Sequence, residues 1–346
     1  MNQARRLLEL LAPALLVLAT AWLGLEVSRY LEPYFLDTLV KVAIVVSLYL
    51  FIGNSGVLSF GQISFVALGA WTAGLLSMPE TLKRIEMPGL AHHLLTTNVG
   101  NVASLALAAV VGGIAAFAVG LPLMRLSGLA AGIATFAVLE ITNNVLTYDG
   151  SIGPGVNNFS SVPATTGIWQ AAVGGLICVV AAYAYQRTRF GRMLRATRED
   201  PAAAAAAGIS IYRQRLLAFT LAGAMAGFAG GLYVHLQPLA AGSLYLDLTF
   251  ITLAMLVVGG AGSLLGAVVG ALALNGIYSF FSAATNTVDV LGWHLKVPSG
   301  TAEIVLGVLM VVILIFRPNG LTGGREFSLP RRRRPVADLE KARATT

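Results

Sequence analysis

The chain has 346 residues, of which 56% are apolar or aromatic and 11% charged, with 23 Lys and Arg against 16 Asp and Glu for a net charge of +7. A soluble domain carries roughly 25% charged residues, so a water-covered fold of this size is excluded, and intrinsic disorder fails because it needs low hydrophobicity. What remains is an all-α polytopic membrane protein, and the pI near 9.8 reflects basic stretches set between apolar runs, not a nucleic-acid-binding face.

A transmembrane helix needs about 20 mostly apolar residues. In chain order the candidate spans are Leu7 to Leu25, Tyr34 to Ile52, Ile63 to Met78, Val99 to Leu123, Leu129 to Leu146, Ile168 to Tyr185, Leu216 to Leu236, Leu248 to Val258, Leu264 to Phe280 and Ala302 to Phe316. The third and eighth are short enough to be re-entrant, which leaves eight to ten transmembrane helices. Arg5 and Arg6 before the first run, and Ala19-Thr20-Ala21 within it, mimic a secretory signal. The run exceeds a typical signal core, so it is expected to be an uncleaved first span. Cys178 is the single cysteine and sits inside an apolar run, and no His is spaced with it as a zinc site requires.

Charge placement orients the spans. With the N-terminus inside, 18 of the 23 Lys and Arg fall in inner segments and four (Arg29, Lys83, Arg84, Lys296) in outer loops, while Lys41 lies within the second span. This bias predicts that both termini are cytoplasmic. Residues 1–322 read as one membrane domain with a cytoplasmic loop at 187–215. Residues 323–346, with Arg331 to Arg334, read as a basic, disordered tail suited to lipid headgroups.

No lysine follows a glycine as a phosphate-binding loop demands, and no HExxH, GxSxG or CxxC occurs, so nothing supports an enzyme or a resident cofactor. Gly260-Ala261-Gly262-Ser263-Leu264-Leu265-Gly266 has one residue too many for a dinucleotide fingerprint and reads better as close helix packing.

Three segments carry more information. Gly53 to Phe65 interrupts two apolar runs with glycines and with Asn54, Ser55, Ser59, Gln62 and Ser64. Irregular polar backbone near membrane depth is tolerated only against protein or water. Asn54, Ser59, Gly61 and Gln62 are therefore candidates to border a solute path, the alternative being an ordinary turn between spans. In the fifth span Glu140, Asn143 and Asn144 share a helix face. Glu140 and Asn144 could meet a substrate ammonium or serve as scaffold, whereas Asp37 and Lys41, four apart, could simply neutralise each other. In the loop 187–215, Asp200 suits an N-cap, Pro201 the first helical position, Ala202 to Ala207 the helix body and Gly208 its C-terminal cap. Such a rod, nearly free of side-chain bulk, could sit in a partner's groove with Arg195, Arg198, Glu199 and Asp200 setting its register around Ala204. The alternative is a surface turn with no partner.

FGRxLRAxRED followed by alanines and GI, GxLSFGQISFxxLGA, the Arg125-Leu126-Ser127-Gly128-Leu129 stretch, VVGGAGSLLGAVVGA from Val257 and FRPNGL from Phe316 together resemble the LivM-type permease subunits of branched-chain amino-acid ABC importers, over about Val40 to Gly323. Departures are Thr197, where Ile is common, and the residues after Arg125. The resemblance implies that Arg195 to Gly208 is the coupling element docking on an ATPase. It also implies a second permease subunit, two ATP-binding subunits that hold the ATP, a periplasmic or extracellular substrate-binding protein, and the bacterial inner membrane. Competing readings are a permease for urea or short amides, or a self-sufficient secondary transporter or channel.

Overall fold

The computed structural model describes residues 3–26, 31–87, 89–155, 159, 161–239, 242–284, 288–290, 293–295, 298 and 300–324. The fold is helical: α1 Gln3–Glu26, α2 Glu32–Ser55, α3 Gln62–Ser77, α4 Glu80–Glu86, α5 His92–Thr96, α6 Asn101–Leu123, α7 Gly128–Tyr148 and α8 Ile168–Arg187 precede α9 Arg189–Glu199, α10 Pro201–Ala206 and α11 Ile211–Val234. A 3₁₀ turn at Gly242–Leu244, α12 Leu246–Gly259, α13 Leu264–Ala284, a short hairpin of Val288–Val290 with Trp293–Leu295, and α14 Thr301–Phe316 complete it.

Each of the ten apolar runs is a helix, and seven of these helices are long and apolar enough to cross a membrane. The other three are α3, α12 and α14, with 16, 14 and 16 residues. The last span thus joins the third and eighth among the short ones. At about 1.5 Å per residue these helices reach roughly 21 to 24 Å, less than the hydrocarbon thickness of about 30 Å.

Two helices form the interior. From Leu36 onward α2 is buried at all but one position, and α11 is buried along the faces that meet α3 and α6. Small residues make the second arrangement possible, since a Cβ added at Gly227 would lie 2.3 Å from the Ala108 carbonyl oxygen and one at Gly69 would lie 2.1 Å from that of Gly227. Three helices therefore touch backbone to backbone. The Gly260 to Gly266 stretch does the same for α12 and α13, where a Cβ at Gly270 would sit 2.0 Å from the Met255 carbonyl oxygen. The FRPNGL turn closes over that junction, with Leu321 N–H donating to the Val258 carbonyl at 2.7 Å. Outer helices present apolar side chains such as Val102, Ile114, Ile304 and Ile315 to the surroundings.

Connections gather at two ends. At one, the segments after α3, α7 and α11 meet: Phe159 and Leu239 exchange backbone hydrogen bonds, Thr166 N–H donates to the His235 carbonyl, and Ser161 donates to Glu86. At the other, the segments after α2, α6 and α8 meet, with Tyr212 donating to the Leu121 carbonyl at 3.0 Å. The chain thus alternates direction as the span order requires. The tail from Arg325, together with Arg29 and Lys296, lies outside the described residues.

Candidate functional site

Two helices joined at Asp200 build the element at the second end. Thr188 caps α9, its Oγ1 accepting from Gly191 N–H at 3.2 Å. Asp200 stops α9 and caps α10, its Oδ1 accepting from Ala202 and Ala203 N–H at 2.9 Å each. Pro201 follows at the first position, where no N–H is needed. Gly208, at φ +79, ends the rod with Ile209 N–H donating to the Ala204 carbonyl at 3.0 Å. Ala204 is buried, while Ala202, Ala203, Ala205 and Ala206 are exposed and give α10 an outer face of methyl groups. Glu199 is exposed beside it.

The two arginines that frame this element reach inward. Arg195 Nε donates to Asn54 Oδ1 at 2.7 Å, and its Nη2 donates to Tyr49 Oη at 3.2 Å and to Gln186 Oε1. Arg198 Nη1 donates to the Gly53 carbonyl at 2.6 Å. Its aliphatic stem lies over Gly56, where an added Cβ would be 2.9 Å from Arg198 Cγ. Gly56 has φ +71 and terminates α2. The loop and the broken segment, separate in sequence, are therefore one unit.

Past Gly56 the chain stays non-helical until Gln62. Phe60 N–H donates to Thr135 Oγ1 at 3.2 Å, and Gly61 presses on α7, a Cβ there falling 2.6 Å from the Thr135 carbonyl oxygen. Ser59, Gln62 and Ser64 are fully buried, and the Ser59 and Ser64 hydroxyls and both Gln62 amide atoms lack a protein hydrogen-bond partner. Each such group costs about 1–3 kcal/mol if it stays unpaired. This is a polar layer inside an apolar bundle.

Glu140 lies elsewhere, about 7.5 Å along α7 from Thr135 at helical rise. Its carboxylate accepts from Asn144 Nδ2 at 2.7 Å and from the hydroxyl of Tyr245, which precedes α12. No hydrogen bond links Glu140 or Asn144 to residues 53–64. The pair clasps α7 to the start of α12.

One further feature escaped sequence reading. A cavity of about 500 Å³ is walled by α2, α11, α12, α13 and α14, with Lys41, Tyr233, Asp247, Tyr278 and Glu303 on its surface. Asp37 and Lys41 do pair, at 2.7 Å, but they are not alone: Lys41 Nζ also donates to Asn275 Oδ1 at 3.0 Å and lies 5.2 Å from the Tyr278 ring centroid. Asn275 in turn donates to Asp37 and Thr38. Asparagine within the ninth run was the one available signal; the acidic groups, each near a helix start, look like ordinary interface residues.

Two buried bases stiffen the first end. His235 faces the Gly231 carbonyl through Nδ1 at 2.7 Å and Ser77 Oγ through Nε2 at 3.0 Å, and burial pushes its pKa below the usual histidine value. Lys83 donates to the Leu94 and Thr97 carbonyls, and burial lowers its pKa as well.

The family model described as "Branched-chain amino acid transport system / permease component" matches residues 31–314. The high-affinity branched-chain amino acid transport system permease protein LivM of Salmonella typhimurium is 28% identical, over 90% of this chain and 74% of its own. The probable LivM of Methanocaldococcus jannaschii is 26% identical, over 85% of this chain and 93% of its own. The autoinducer 2 import system permease protein LsrC of Klebsiella pneumoniae is 31% identical over 45% of this chain and 44% of its own. No solved structure matches at a significant level.

Proposed function

The chain belongs to the branched-chain amino acid transport permease family, and on that premise we propose that it is the membrane-spanning half of an ATP-driven importer for branched-chain or other small amino acids. Its partners are a second permease subunit, two ATP-binding subunits that hold the ATP, and a substrate-binding protein on the far side of the inner membrane. The observation that carries this reading is the capped, methyl-faced α10 held on α9 at one end of the bundle. A face without bulky side chains can enter a groove on an ATPase without a large entropic loss, because alanine has no rotamers to fix.

The inward arginines supply the transmission. When the ATP-binding subunits move α10, Arg195 and Arg198 pull on Asn54 and Gly53, and α2 carries the displacement into the polar layer of Ser59, Gly61 and Gln62. An amino acid crossing hydrocarbon must keep its charged ends satisfied, since unpaired burial of either costs many kcal/mol. Buried polar groups on a glycine-interrupted segment can offer such contacts, as broken helices do in other transporters. Glu140 and Asn144 act from further along α7, holding it to α12.

The test is purification from the native membrane in mild detergent followed by reconstitution. ATP-binding and second-permease subunits are expected to co-purify, and the vesicles to take up leucine only with ATP and binding protein. A chain that purifies alone and supports gradient-driven uptake without ATP would identify a self-sufficient transporter instead.

A further inference from the structure

The cavity at α2, α11, α12, α13 and α14 lies away from the coupling element: α11 begins beside α10 and reaches the cavity only at Tyr233, near its last residue. Asp247 and Glu303 stand at the starts of α12 and α14, and Tyr278 near the end of α13, so the mouth is at the opposite end of the bundle. Lys41, in the middle of α2 and 5% exposed, forms the inner wall. The chamber thus has carboxylates at its mouth and an ammonium deep inside. Its volume, about 500 Å³, falls in the range of small-molecule sites, roughly 300–1,000 Å³.

The Lys41 ammonium has three N–H groups. Two are given to Asp37 and Asn275, which leaves one for a ligand. Asp247 and Glu303 are exposed, and Glu303 accepts only a long hydrogen bond, 3.4 Å, from the Tyr278 hydroxyl. Between the two charged zones Ile251 and Met310 supply apolar wall. Opposite charges separated by apolar surface match a zwitterion with an aliphatic side chain, and a neutral sugar would leave both charges unused. We infer that this cavity is a receiving chamber for a zwitterionic aliphatic amino acid, with Asp247 and Glu303 taking its ammonium and Lys41 its carboxylate. The inference rests on the transport reading above and adds to it the substrate contacts and the side of entry.

The test uses the assembled complex in proteoliposomes with leucine as the probe. The double variant Asp247→Asn, Glu303→Gln alters exposed groups and leaves the bundle's packing intact. At saturating binding protein its leucine uptake is expected to fall about tenfold, the scale of one lost charge-assisted hydrogen bond, while binding-protein-stimulated ATP hydrolysis continues. Gly307 lines the same cavity, and a Cβ there meets nothing within 4 Å. In Gly307→Cys, with the native Cys178 buried, leucine is expected to slow modification by a cationic thiol reagent. Unchanged uptake by the double variant, or a Cys at 307 that no aqueous reagent reaches in the complex, would overturn the chamber and leave the transport reading standing. Wild-type complex that imports no amino acid would overturn that reading and the chamber with it.

Discussion

Arg195 joins three acceptors on two helices, Asn54 and Tyr49 of α2 and Gln186 of α8. Removing it leaves amide oxygens without a donor in a partly buried site, which costs about 2–3 kcal/mol. Arg195→Met should therefore lower the unfolding temperature and lose leucine uptake while ATP hydrolysis persists. Arg195→Lys should recover only part, because one point charge cannot serve a forked set of acceptors. Uptake at the wild-type rate in both variants would remove Arg195 from the coupling route. His235 gives a pH signature at the other end. Its folded pKa lies below the ordinary 6.5, so below pH 6.5 the unfolded state binds the extra proton more readily. Stability is full above that pH and declines as pH falls toward the folded value. Thermal unfolding of the detergent-solubilised complex between pH 7.5 and 5.5 should show this decline, and His235→Gln should flatten it.

For the coupling helix, packing and docking can be separated by choosing which face to alter. Ala205 is exposed, so Ala205→Asp should change stability by no more than about 0.5 kcal/mol yet abolish uptake, because the new carboxylate meets the partner's groove. Gly208→Val forces a β-branched residue to φ +79 and should cost about 1–2 kcal/mol with the same loss of uptake. Normal transport by both variants would make α10 a surface turn. Inside the bundle Gly227→Val drives a side chain into the Ala108 carbonyl; a loss of about 3 kcal/mol should appear as lowered accumulation of folded protein. The sequence makes these elements legible to different degrees. All ten helices follow from apolar run length, and α10 follows from Asp200, Pro201, its alanines and Gly208. Arg195 looks outward-facing in sequence, because nothing local points to Asn54, 141 residues away.

At the scale of the whole molecule, the two ends have different chemistry: a methyl-faced docking element over a polar break at one, and a charged cavity under a stiffened cap at the other. Alternating spans are readable from hydropathy, whereas a cavity drawn from five helices is not. Its residues come together only through packing, as when FRPNGL, read as a motif at the chain's end, folds onto the α12–α13 junction. If the molecule works between two aqueous compartments, these ends must face opposite sides. Labelling of single thiols in membrane vesicles of known orientation tests this most directly, using Ala205→Cys and Gly307→Cys with a membrane-impermeant reagent. The expected result is modification of position 205 only from the face exposed to ATP and of position 307 only from the other face. Modification of both from one face would contradict it.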